Sequence, residues 1–209
     1  MQFFLQKLQS QAPFLPDFFH RSIISANMPS KENPINRIPT ILQTAFNLVY
    51  SQLDYQINNL QIESESQEYA ACTFELNGLK IKHRLAKITP TKTGQFVTIW
   101  KRNEAGITIP FNDQDEFDLL IISADSAGLS GEFIFPKAIL VQHKIITKNG
   151  IEGKRGIRVY PPWDTVTNKQ AEKTQQWQLP YFLQIDVNEN IDLAMAKKLI
   201  GNGIKQTGF

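Results

Sequence analysis

Asp118 heads an apolar run, Asp118-Leu119-Leu120-Ile121-Ile122-Ser123, and Glu132 heads the next one, Glu132-Phe133-Ile134-Phe135. Carboxylates at the heads of neighbouring strands suit a divalent-cation phosphodiesterase. They offer hard oxygen ligands to Mg²⁺ or Mn²⁺, and a nearby ammonium steadies the charge that builds on the phosphoryl group. The usual pattern is an Asp followed, on the next strand, by an acid-x-Lys triplet, and here Ile134 stands where that lysine belongs. Lys87 or Lys137 could bring the amine from elsewhere, and Glu68 or Glu75 a third carboxylate. Asp118, Glu132 and Lys87 are therefore the candidate catalytic set, with Asp118 and Glu132 as metal ligands. No other cofactor is expected. One Cys and three scattered His cannot build a structural zinc site, and there is no phosphate loop, nucleophile elbow or dinucleotide fingerprint.

The net charge of +2 conceals segregation. Residues 78–110 carry Lys80, Lys82, Arg84, Lys87, Lys92, Lys101 and Arg102 against Glu104 alone, whereas 111–132 carry six carboxylates and no Lys or Arg. Such blocks predict separate fields on the folded surface. Three basic clusters are interleaved with aromatics or glycines. The first joins Lys87 and Lys92 to hydroxyls and a glycine loop. The second is Trp100-Lys101-Arg102, and the third runs Gly153-Lys154-Arg155-Gly156-Ile157-Arg158-Val159-Tyr160-Pro161-Pro162-Trp163. Lys, Arg, hydroxyl and backbone N–H groups suit phosphate oxygens, and the rings suit stacking. Lys87, Lys92, Lys101, Arg102, Lys154, Arg155, Arg158, Tyr160 and Trp163 are thus the candidate nucleic-acid contacts, with duplex DNA as the expected partner. A different reading makes Trp100, Tyr160, Trp163 and Trp177 the lining of a small-ligand or protein-interaction pocket.

Positioning these groups falls to elements that the sequence punctuates. A chain of 209 residues, 42% hydrophobic, can bury one sizeable core. Residues 1–34, broken by prolines, are expected to form an N-terminal arm. Apolar spacing from Ile41 to Leu53 predicts a helix. Asn77-Gly78 predicts a tight turn between strands 70–76 and 79–88, with a third strand near 95–101 completing an antiparallel meander. The run 117–123 reads as a strand covered on both faces, at the middle of the sheet. Strands at 132–135 and 157–160 follow, residues 137–146 fit either a short helix or a strand, and a helix is expected over 168–178. A C-terminal helical segment within 186–209 is capped by Asn190 and closed by Gly201. One α/β domain with a central mixed sheet flanked by helices is the expected fold. The single Cys72, the lack of a signal-like N-terminus and the lack of an 18-residue apolar run predict a cytoplasmic location without membrane contact.

The strings Ala86 to Arg102, Phe133 to Lys137, Gly153 to Asp164 and Thr174 to Gln178 resemble the MepB family over roughly residues 65–185. The resemblance implies a restriction-endonuclease-like fold, and through it contact with nucleic acid. It ties no enzymatic activity to the chain, so the endonuclease-like scaffold could be degenerate or inactive, and it does not supply the missing lysine.

Overall fold

The computed structural model describes residues 39–185 and 191–204; the expected N-terminal arm and the Asn190 cap lie outside them. Helix α1 (Thr40–Ala45) continues through a π turn at Phe46–Tyr50 and a 3₁₀ turn at Ser51–Leu53, ending at Asp54 with φ 58°. Strands β1 (Ile57–Ile62), β2 (Cys72–Leu76) and β3 (Leu79–Leu85) form an antiparallel meander. The turn between β2 and β3 is made by Asn77 and Gly78, both at positive φ as the dipeptide predicts.

The chain then leaves this sheet. Ala86 donates its N–H to the Ser123 carbonyl, and β4 (Lys87–Thr89) and β5 (Lys92–Thr98) pair with each other instead. With β10 (Gly156–Val159) they make a second sheet in the order β10-β5-β4, and β6 (Trp100–Arg102) pairs with β7 (Thr108–Pro110) as a ribbon. Only at β8 (Leu119–Ser126) does the chain return to the first sheet, lying parallel to β3 and antiparallel to β9 (Leu129–Pro136). The expected strand 79–88 is therefore two strands in two sheets, and the expected third strand belongs to the second sheet.

The main sheet runs β1-β2-β3-β8-β9-β11, with β11 at Phe182–Gln184. It is mixed, because β3–β8 is a parallel pair among antiparallel neighbours. The apolar run of β8 places it centrally. Leu119 and Ile121 face one core beneath α1, the π turn and α4 (Leu193–Ile204). Leu120, Ile122 and Ala124 face another that includes Val97, Ile157 and Val159 of the second sheet, with Ile99 just beyond β5. After β9 come α2 (Lys137–Gln142) and α3 (Lys169–Gln178). Asn168 caps α3 by accepting from the Ala171 N–H at 2.9 Å. Helix α4 runs through Gly201 rather than stopping there, and Asp192 accepts from the Met195 N–H at its start.

Candidate functional site

The expected metal pair is not assembled. In the β8–β9 register Leu119 opposes Pro136 while Ser123 opposes Glu132. Asp118 and Glu132 therefore lie five residues apart along the ladder, about 16 Å. Asp118 Oδ2 accepts the Lys80 N–H at 2.8 Å, and its own N–H donates to the Lys80 carbonyl at 2.8 Å, so it fastens the start of β8 to β3. Glu132 is 1% exposed and faces the helical side of the sheet, where it accepts from the Tyr50 hydroxyl and from Ser123 Oγ at 3.1 Å. Lys87 is in the second sheet, 3.3 Å from Glu68 and over the Tyr69 ring. Lys80 and Lys137 flank Asp118 instead. The Lys137 backbone N–H donates to the Asp118 carbonyl, and burial lowers the pKa of the Lys137 amine while Asp115, Asp113 and Asp118 act the other way. Among the described residues no group of three or more His, Cys, Asp or Glu side chains is placed to hold a metal ion.

The candidate phosphate contacts divide by what already holds them. Lys101 is paired with Asp115 and Arg102 with Glu65; Arg155 is 3.1 Å from Glu152 and also donates to the Thr108 carbonyl. With Lys87 these four cations are neutralised by carboxylates. Trp163 is a packing residue rather than a stacking platform, since its ring meets Phe182 edge-on at 5.5 Å against the core. Trp100 lies under the Arg102 guanidinium. The glycines of the third cluster admit the close approach of the protein's own chain. A Cβ on Gly153 would come within 2.6 Å of the Ile145 carbonyl, and one on Gly156 within 2.6 Å of the Phe96 ring.

Lys92, Lys154 and Arg158 behave differently. They line one cleft of about 480 Å³ between the second sheet and α3, together with Tyr160, His143 and Trp177, and no carboxylate lines it. Lys92 and Lys154 are exposed and have no ion-pair partner among the described residues. Arg158 is half-buried. Its Nη1 donates to the carbonyls of Gly94 at 2.9 Å and Lys92 at 3.3 Å, and its Nη2 donates to Thr89 Oγ1 at 2.6 Å. These acceptors are neutral, so they fix the guanidinium without cancelling its charge.

The wall opposite is α3, docked by amides. Gln178 accepts the Tyr160 N–H and donates to the Arg158 carbonyl, while Gln175 donates to the carbonyls of Pro161 and Asp164. Trp177 stacks on His143 with centroids 4.1 Å apart and planes 13° from parallel. Burial, and after it the Lys154 ammonium, lower the His143 pKa and favour the neutral ring. A second hollow of about 500 Å³, at the other face of the sheet, has mostly apolar walls with Asp125 and Glu132 among them. Its charge is of the wrong sign for phosphate.

Lys92, Lys154, Arg158 and Tyr160, candidate contacts from the sequence, and Trp177, a candidate pocket aromatic, are brought together here by the fold. His143 and the amides of α3 were not among the candidates. The helix expected over 168–178 and the Thr174 to Gln178 string were the sequence signals of that wall.

A family model described as MepB-like matches residues 63–184, which include every described lining residue of the cleft. Among solved structures, one described as the crystal structure of MepB is 40% identical, covering 64% of this chain and 88% of that chain with a TM-score of 0.61. A bacterial homing endonuclease, I-Ssp6803I, is a looser likeness at 13% identity, covering 83% of this chain and 97% of that chain with a TM-score of 0.46. The comparison with curated proteins gives no match.

Proposed function

The chain belongs to the MepB-like family, and we propose that it binds nucleic acid by taking the phosphate backbone into the cleft between the second sheet and α3. The observation that carries this reading is the convergence of Lys92, Lys154 and Arg158 on a cleft with no carboxylate in its lining. Three cations in one concavity raise the local potential, and a polyanion relieves it. The other proposed cations each have a carboxylate of their own, which a phosphate would have to displace. Asn168, Gln170 and Thr174 add polar groups to the same lining, suited to phosphate and sugar oxygens. A volume of this size is typical of pockets that enclose a small ligand or one unit of a larger one.

The test is fluorescence anisotropy with a labelled partial-duplex DNA carrying a single-stranded tail, titrated across a salt series. Log affinity should fall linearly with log salt, and the slope should lessen by roughly 1.4 to 1.8 in Lys92→Ala/Lys154→Ala as two phosphate contacts are lost. Lys101→Ala/Arg102→Ala should bind like the wild type. Binding indifferent to salt, or equal in the cleft variant and the wild type, removes the reading.

A further inference from the structure

On the helical side of the main sheet, the hollow of about 500 Å³ lies between α1 and the strand ends where β8 meets β9. Pro39, Ile41, Ala45, Leu85 and Ile185 supply much of its wall. Two of its hydroxyls are committed to the protein's own chain. Thr44 Oγ1 donates to the Thr40 carbonyl at 3.2 Å, and Ser130 Oγ donates to the Ile185 carbonyl at 2.6 Å. Two carboxylates complete the polar part of the lining. Asp125 is exposed, whereas Glu132 is only 1% exposed. No Lys, Arg or His is among the described residues that line this hollow.

Glu132 sets what such a hollow can hold. Its two oxygens accept from Tyr50 and Ser123, both neutral donors, and a carboxylate accommodates about four such bonds, so acceptor capacity remains. Burial without a cation disfavours the charged carboxylate and raises its pKa to about 7. A cation brought to that carboxylate restores its charge, and apolar walls strengthen the attraction between them. We infer that this hollow is a second binding site, for a primary alkylammonium ion whose N–H groups meet Glu132 and whose hydrocarbon body lies along Ile41, Leu85 and Ile185. Other ligand classes fit less well. Anions are repelled by both carboxylates, and a sugar finds Thr44 and Ser130 already engaged. A neutral hydrocarbon leaves Glu132 without a counter-charge. Asp125, at the exposed part of the lining, attracts the cation before it enters. The site is on the opposite face of the main sheet from the phosphate cleft, and the inference stands independently of the function proposed above.

The experiment is isothermal titration calorimetry of the full chain with hexylammonium, with hexanol as its uncharged analogue and butylammonium as its shortened one. At pH 8 hexylammonium should bind more tightly than hexanol by about tenfold, and more tightly than butylammonium by about tenfold because two more methylenes are buried. Glu132 must release its proton to receive the cation. Hexylammonium affinity should therefore fall by about tenfold from pH 8 to pH 6, while the amine itself stays charged. The buried titratable groups around Glu132 do not share this window. Burial, with Glu132 adding to it, holds the Tyr50 hydroxyl well above its usual range; burial also pushes Cys72 up to about 12 and His83 down to about 4. Asp125→Asn, at an exposed position, should weaken binding by about threefold and keep the pH dependence. Glu132→Gln should abolish both the pH dependence and the preference over hexanol. Should that variant not fold, the wild-type pH series and Asp125→Asn decide the question without it. Hexanol binding as tightly as hexylammonium, equal affinity at both pH values, or no binding at millimolar hexylammonium overturns the inference.

Discussion

The two faces of the main sheet each hold unbalanced charge, in opposite settings. On the side of the second sheet, Lys92, Lys154 and Arg158 share a cleft without a carboxylate. On the helical side, Glu132 is buried with only neutral donors, Tyr50 and Ser123, and Ser123 Oγ is 2.8 Å from His83 Nε2. The difference is water. Exposed cations stay solvated, so their imbalance persists as an attraction for anions. Buried groups respond by changing protonation instead. Burial pushes the Glu132 carboxyl up to about 7, with Tyr50 and Ser123 pulling the other way, and burial brings His83 down to about 4. An uncompensated charge thus persists as a field on the surface and becomes a displaced proton equilibrium in the core.

The sharpest way to break this comparison is to remove a buried donor. Tyr50→Phe should lower the unfolding free energy in urea by about 1 to 3 kcal/mol at pH 8, where Glu132 is ionised, and by less at pH 5, where it is protonated. Equal losses at both pH values would mean that Glu132 does not ionise in this range.

The pH dependence of stability is the next largest effect. A carboxyl raised from 4.5 to about 7 keeps its proton longer in the folded state, so its contribution is complete below 4.5 and is lost as pH rises towards 7. A histidine lowered from 6.5 to about 4 acts in the opposite sense, its contribution growing as pH rises from 4 to 6.5. The two oppose each other over 4.5 to 6.5, and the wild type should be nearly flat there. Glu132→Gln should uncover the histidine, with stability climbing by about 1 kcal/mol per pH unit through that window. Thermal unfolding at half-unit steps of pH would show whether the slope appears.

The smallest effect should come from the neutralised rim. Lys101→Ala and Arg102→Ala remove partly exposed ion pairs, each worth less than about 1 kcal/mol. Urea midpoints close to the wild type are expected, and a large shift would mean that these pairs organise the β6–β7 ribbon.

What the sequence disclosed followed from local chemistry. Asn77-Gly78 specified a turn, the uninterrupted apolar run of β8 specified a central strand, and the helix expected over 168–178 is α3. Three of the four strings behind the family resemblance, all but Phe133 to Lys137, supply residues to the cleft lining. The meander failed because β3 takes β8 as its parallel partner across a long intervening segment, and no local pattern announces such a pairing. Ala86, where the chain changes sheets, looks like any other small strand residue. The candidate contacts divided for a similar reason. Only Arg155 has a carboxylate partner close in sequence, Glu152, whereas Arg102 finds Glu65 and Lys87 finds Glu68 through the fold. The link from Tyr50 to Glu132 spans 82 residues and had no signature at all.

Gln178 has one more consequence. β10 is the edge of its sheet, and an open edge invites a strand from another molecule. The Gln178 amide meets that edge as a peptide group would, donating to the Arg158 carbonyl and accepting the Tyr160 N–H. A single side chain thus stands in for an absent strand. It occupies the two backbone positions through which a second chain would begin to pair, and it turns an aggregation-prone border into the seam that holds α3 against the cleft.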